Sequence, residues 1–93
     1  MAFCDRSTVD HANDLVTVDD VHPNYVNEVL NIHHNPEQAW YFAPYQQPQE
    51  AMIFVEHDSR KTNGAVPHCA FEHERGDNVP KRESVEVRAL VFY

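Results

Sequence analysis

Apolar positions along this chain gather in short runs cut by prolines, and no run keeps a 3.6-residue period for more than about three turns. The punctuation is Pro23, Pro36, Pro44, Pro48, Pro67 and Pro80. Between these prolines the pattern predicts strands. Residues 28–34 form one candidate, and 39–43, with Trp40, Tyr41 and Phe42 adjacent, form a second. Aromatic and β-branched residues suit a pleated, half-buried surface. The continuous apolar run 51–55 fits a strand buried on both faces, although its length does not separate strand from helix. Residues 67–72 make a fourth run. The clearest is 84–93, which alternates at first and then becomes wholly apolar. Turn chemistry occupies Asn35-Pro36-Glu37, 58–64 and 72–81, and Pro23-Asn24-Tyr25 reads as a turn into the first strand. Residues 10–20 are acidic and mixed, without a clear period. The whole is a mainly β, antiparallel unit spanning 1–93, with no repeat and no linker.

This unit does not look self-contained. Five short strands make roughly one sheet, and one sheet cannot bury both of its own faces. The closing run Ala89-Leu90-Val91-Phe92-Tyr93 needs cover, so self-association through the uncovered sheet is expected.

Composition narrows the function. Fifteen acidic against seven basic side chains give a net charge of -8, which repels phosphate backbones and anionic lipid. Nucleic-acid binding and membrane docking are therefore excluded as expectations. No apolar stretch approaches the roughly 20 residues of a membrane span, and the first ten residues lack a signal-peptide core. Cys4 and Cys69 make neither a disulfide framework nor a metal knuckle. A soluble, cytoplasmic polypeptide is expected. Seven histidines are an unusual share for 93 residues, and they keep a histidine-rich metal-binding module among the readings.

Chemistry concentrates near the end of the chain. His68 follows a proline in a short strand-like run, and Arg82 and Ser84, two apart, share a face if they lie on a strand. A guanidinium fork with a neighbouring hydroxyl can hold a carboxylate through three hydrogen bonds. A histidine on one strand and Arg-x-Ser on the next suit a metal and a dicarboxylate co-substrate. On residue types alone, a surface histidine and an arginine opening an edge strand account for the same pattern. Weaker candidates read as structural: His33-His34 as a solvated loop edge, Glu56-His57-Asp58 as an exposed turn, Cys69 as a buried small strand residue, and Trp40 to Phe42 as core. Asp19-Asp20 lacks the spacing of a calcium loop.

The run Val66-Pro67-His68-Cys69-Ala70-Phe71-Glu72 followed by Pro80-Lys81-Arg82-Glu83-Ser84-Val85-Glu86-Val87-Arg88-Ala89-Leu90-Val91-Phe92-Tyr93 closely resembles the C-terminal end of a fungal family. This is the asaB-type hydroxylase/desaturase family, with gibberellin-desaturase-like members and relatives of the cephem 7-alpha-methoxylase component. Phe3-Cys4-Asp5-Arg6-Ser7-Thr8-Val9, Asp14-Leu15-Val16, His34-Asn35-Pro36 and Gln38-Ala39-Trp40-Tyr41 match as well, so the resemblance covers nearly the whole chain. It implies a non-haem iron(II), 2-oxoglutarate-dependent oxidoreductase on a double-stranded β-helix, or jelly roll, acting on a small-molecule metabolite. Such enzymes hold iron with two histidines and one carboxylate. By the resemblance, His68 is the distal histidine ligand, and Arg82 with Ser84 anchors the distal carboxylate of 2-oxoglutarate. Arg88, which shares the parity of Arg82, is the alternative anchor.

The family pattern also carries a His-x-Asp or His-x-Glu pair. Here the residues two after His11, His22, His33, His34, His57, His68 and His73 are Asn13, Asn24, Asn35, Pro36, Ser59, Ala70 and Arg75. None is acidic. The expectation is an incomplete jelly roll, a single C-terminal segment over 1–93 that does not bind iron(II) and 2-oxoglutarate stably or catalyse alone. The alternatives are a truncated, non-catalytic relic or binding module, and the histidine-rich metal-binding protein.

Overall fold

A computed structural model describes residues 1–61, 64–72 and 82–92. Its elements are β1 (Ala2–Cys4), a 3-10 turn (Arg6–Thr8), β2 (Leu15–His22), β3 (Tyr25–Ile32), β4 (Trp40–Phe42) and β5 (His68–Cys69). All pairings are antiparallel, as the run pattern predicts.

The longest feature is the β2–β3 hairpin. Val16, Val18, Val21, Val26 and Val29 supply the β-branched residues that favour extended backbone. Pairing runs from Leu15↔Ile32 to His22↔Tyr25 and closes through Pro23 and Asn24. The predicted turn is therefore in place, but β3 begins three residues before the expected 28 and ends at Ile32 rather than 34. The alternation of β2 is obscured in sequence because Asp19 and Asp20 interrupt its valines.

The second sheet has the order β4-β1-β5. Ala2 faces Phe42 and Cys69, Phe3 faces Tyr41 and His68, and Cys4 faces Trp40. The side-chain period of two puts Phe3, Tyr41 and His68 on one face, and Ala2, Cys4, Trp40, Phe42 and Cys69 on the other. Beyond the ladder, the Cys4 N–H donates to the Pro67 carbonyl and the Asp5 N–H to the Ala39 carbonyl, both at 2.8 Å. β1 thus ties the start of the chain to two segments far along it.

Local side-chain bonds set the turn after β1. The Asp5 carboxylate accepts from the Ser7 N–H at 2.9 Å and from the Ser7 hydroxyl at 2.7 Å, the usual way an acidic residue caps an N-terminus. The Thr8 hydroxyl donates to the Asp5 carbonyl at 2.7 Å and accepts from the Ala39 N–H at 3.0 Å. A second polar hub is Asp14, which is buried. Its carboxylate accepts from Asn35 Nδ2 at 3.0 and 3.2 Å, from Gln38 Nε2 at 2.9 Å and from the Asp10 N–H at 2.9 Å. Its carbonyl accepts from the His33 N–H at 2.7 Å, so the base of the hairpin is clamped to the turns on either side.

Two expected strands do not form. Residues 51–55 and 84–92 have no regular secondary structure, with Ile53 96% and Leu90 87% exposed. A strand needs a paired edge and a covered face. The Val55 carbonyl accepts from the Val66 N–H at 2.8 Å, but no ladder extends from it among the described residues. The turns at Asn35-Pro36-Glu37 and from Asp58 are present: the Glu37 N–H donates to Asn35 Oδ1 and the Arg60 N–H to Asp58 Oδ1, each at 3.0 Å. Most of the turn expected over 72–81 and the last residue of the closing run lie outside the described residues. Among those described, the buried apolar side chains are Ala2, Cys4 and Val9.

Candidate functional site

His68 reaches its position because β5 pairs with β1, which sets the imidazole on the same sheet face as Phe3. Its Nδ1 lies 3.0 Å from the Val66 carbonyl oxygen. A carbonyl oxygen can only accept, so Nδ1 carries the proton and Nε2 keeps its lone pair in the neutral ring. Metal-binding histidines are commonly oriented in this way, with the second nitrogen tied to a backbone carbonyl. The ring packs against Phe54, with centroids 4.6 Å apart, and lies 6.2 Å from Phe3. Phe3 and Phe54 touch each other at 4.9 Å.

Beside this aromatic group opens a hollow of about 600 Å³, whose lining includes Phe3, Tyr41, Ile53, Phe54 and Val66. Among the described residues Arg6 is the charged one on its wall. The cap at Asp5 turns the chain so that Arg6 Nη1 donates to the Gly64 carbonyl at 3.2 Å. Gly64 itself packs against Asp58, whose Cβ would lie 2.7 Å from a Cβ at that position. On the opposite sheet face Phe42 and Phe71 meet edge-on at 4.9 Å.

Arg82 and Ser84 are exposed and lie outside any strand. The strand parity that would put them on one face therefore has no ladder behind it. No hydrogen bond joins either residue to His68 among the described residues. Arg88 is engaged elsewhere, with its Nε 3.3 Å from both Glu56 Oε2 and Glu86 Oε1. The first contact brings the closing segment beside the end of the 51–55 run.

Four titratable groups are shifted by their surroundings. Burial pushes the Cys4 thiol up, against a hydrogen bond with Thr8, which makes it a poor nucleophile. The Ser7 hydroxyl and N–H hold the Asp5 carboxyl below the usual range. Asn13, helped by the Ala12 N–H, does the same for Asp10. For Asp14 the Gln38 side chain is the largest cause, with Asn35 adding and burial opposing.

Among the described residues no three His, Cys, Asp or Glu side chains gather as a metal site. His68 has the orientation of a ligand but no carboxylate beside it, so the described residues do not by themselves fit iron(II). His33, His34 and His57 are exposed, as a solvated loop edge and a turn should be. Cys69 is exposed rather than buried, at the end of the two-residue strand β5. Tyr41 is 63% and Phe42 42% exposed, so the aromatic strand is only partly core. Asp19 pairs across the hairpin with Glu28, while Asp20 Oδ2 lies 3.0 Å from His22 Nε2 on the other face. Arg6, Phe3 and Asp14 are not singled out by sequence reasoning. The Asp-x-Ser spacing of an Asx turn was the available signal for Arg6; Phe3 and Asp14 carry none beyond type.

Known proteins give the wider setting. Residues 1–92 match the family model described as "Oxidoreductase/YMDC permease-like domain". The chain is 41% identical over 69 residues to aspirochlorine biosynthesis protein N of Aspergillus oryzae, covering 71% of this chain and 29% of that protein. It is 36% identical to the hydroxylase/desaturase efuI of Hormonema carpetanum, covering 72% of this chain and 23% of the relative. Against the Fe(II)/2-oxoglutarate-dependent dioxygenase nvfI of Aspergillus novofumigatus it is 30% identical, covering 83% of this chain and 31% of the relative. The chain thus spans about a quarter of the length of the curated relatives it matches. No solved structure matches it. Among the described residues no helix is long and apolar enough to cross a membrane.

Proposed function

The chain belongs to the oxidoreductase/YMDC permease-like domain family, and from that membership we propose that it serves a non-haem iron(II), 2-oxoglutarate-dependent hydroxylase or desaturase of fungal secondary metabolism. Its relatives include the gibberellin cluster GA4 desaturase of Gibberella fujikuroi and the hydroxylase/desaturase asaB of Aspergillus flavus. In this reading the 93 residues form the C-terminal, distal-histidine segment of a jelly roll, in a cytoplasmic enzyme whose substrate is a small-molecule metabolite.

The observation that carries the reading is the hydrogen bond from His68 Nδ1 to the Val66 carbonyl at 3.0 Å. It leaves Nε2 as a fixed donor atom on the sheet face that borders the apolar hollow. Arg82 and Ser84 follow as the co-substrate anchor: the guanidinium binds a carboxylate in two parallel bonds and the hydroxyl adds one. In this role His68 is one ligand of three, and the remaining histidine and carboxylate come from outside the described residues. Iron and 2-oxoglutarate together supply the oxidising power. The part of this chain is to hold one coordination position, to fix one end of the co-substrate and to offer an apolar surface to the substrate.

The test uses the 93 residues alone and joined in frame to a segment bearing His-x-Asp or His-x-Glu. With iron(II), ascorbate and 2-oxoglutarate, the chain alone should form no succinate and the joined protein should form it. His68→Ala should abolish that turnover. Arg82→Ala should raise the KM for 2-oxoglutarate by about ten- to a hundredfold with less effect on kcat, as expected for losing a charged, bidentate contact. Succinate formation that survives His68→Ala would sink the reading.

A further inference from the structure

We propose that the hollow beside His68 binds the apolar body of a small organic monoanion, and that Arg6 holds its acidic group. This names the substrate class for the site proposed above and rests on that reading for its catalytic meaning. The binding claim itself stands on the hollow.

Size comes first. At about 600 Å³ the hollow lies inside the range of about 300–1,000 Å³ in which proteins take up single small molecules. Among the described residues its wall is chemically simple: Phe3, Met52, Ile53, Phe54 and Val66 are apolar, Tyr41 adds a phenol, and Arg6 carries the charge. A sugar, nucleotide or polar peptide would leave its hydrogen-bonding groups unmatched against such a wall, which is costly. An apolar ring system would not.

Arg6 is built to receive an anion. Its guanidinium has five N–H donors, and the hydrogen bond to the Gly64 carbonyl at 3.2 Å fixes Nη1 while leaving donors free. The neighbouring Asp5 carboxylate is engaged by Ser7, since its Oδ1 accepts from both the Ser7 hydroxyl and the Ser7 N–H. No ion pair to Arg6 exists among the described residues. Phe3 and Phe54, which line the hollow, also flank the His68 ring. A bound apolar body therefore lies against the same two rings as the imidazole.

Two dyes of one shape separate the contributions: 8-anilinonaphthalene-1-sulfonate, which carries one sulfonate, and N-phenyl-1-naphthylamine, which carries none. At protein concentrations below the onset of self-association, fluorescence titration of the 93-residue chain should give one saturable site for each. Arg6→Gln should weaken the sulfonate dye by about tenfold or more and the neutral dye by less than about twofold. Arg6→Lys, which restores the charge, should recover most of the lost affinity. Phe54→Ala should weaken both dyes. Equal effects of Arg6→Gln on the two dyes would overturn the proposal, as would unsaturable binding indifferent to Phe54→Ala. Displacement of the sulfonate dye by 2-oxoglutarate alone would also overturn it, by giving Arg6 to the co-substrate. The titration needs no metal, so failure here with intact succinate formation rejects this inference alone. The converse rejects only the iron reading.

Discussion

At the scale of single residues, Asp14 is where the base of the hairpin meets the turns around it. Its carboxyl is held below the usual range chiefly by the Gln38 side chain, with Asn35 and the Asp10 backbone adding to the effect. A carboxyl depressed in the folded state stabilises it fully above the unfolded pKa of about 3.9. That contribution is lost as pH falls through the lower folded value. Asp5 and Asp10 are depressed in the same direction by Ser7 and Asn13, so the whole chain should lose stability on acidification. Asp14→Asn should lower the urea midpoint at neutral pH and shrink the loss between about pH 5 and pH 2. The measurement is the unfolding midpoint against pH for both proteins. Parallel curves would show that Asp14 does not titrate with folding. The residue types that carry this hub are visible in sequence, but their convergence from positions 10, 14, 35 and 38 is not. Nothing local brings Gln38 to Asp14; the fold does.

At the scale of elements, the β2–β3 hairpin carries a conflict inside an otherwise consistent design. Asp19 and Glu28 stand directly opposite each other on one face, and like charges in that position destabilise a pair of strands. His22 stacks on Tyr25, with centroids 4.4 Å apart, and supports the turn end instead. Asp19→Lys should therefore stabilise the chain by roughly 0.2–1 kcal/mol, because it converts repulsion into attraction across the ladder. The gain should fade in about 1 M salt, where surface charges are screened. Denaturation midpoints at low and high salt check both statements, and an unchanged midpoint at low salt would mean that the pair is too solvated to matter. Of the elements, β4 and the turn at Pro23-Asn24 were legible, since aromatic runs and proline are strong local signals. β1 was not, because three residues carry no period and are extended only through their partners.

At the scale of the molecule, the imbalance between apolar content and buried core decides behaviour. Hydrophobic residues are 42% of the chain, yet the apolar side chains buried among the described residues are Ala2, Cys4 and Val9. Val85, Val87, Leu90, Val91 and Phe92 are each more than three-quarters exposed. Contiguous apolar surface of this kind is sticky. The isolated chain should self-associate as its concentration rises, and Leu90→Lys with Phe92→Lys should shift the association to higher concentration. Light scattering over a dilution series is the measurement. A concentration-independent monomer would show that this segment finds its cover within the chain.

The sequence alone carries short antiparallel strands, a net charge of -8 and, in Pro67-His68 and Arg82-Glu83-Ser84, the resemblance to the family to which the chain belongs. These are local or compositional properties, fixed by residue type and spacing. It also predicted strands over 51–55 and 84–93 that the described residues do not form there, because apolar patterning states a need for cover without supplying the cover. Tertiary structure alone decided that Phe3 lies opposite His68, since β1 and β5 are separated by more than sixty residues in the chain. It likewise decided that Arg6 meets Gly64 at the edge of the hollow. Such contacts depend on register between distant segments, and register is set by the backbone ladder, not by either segment alone.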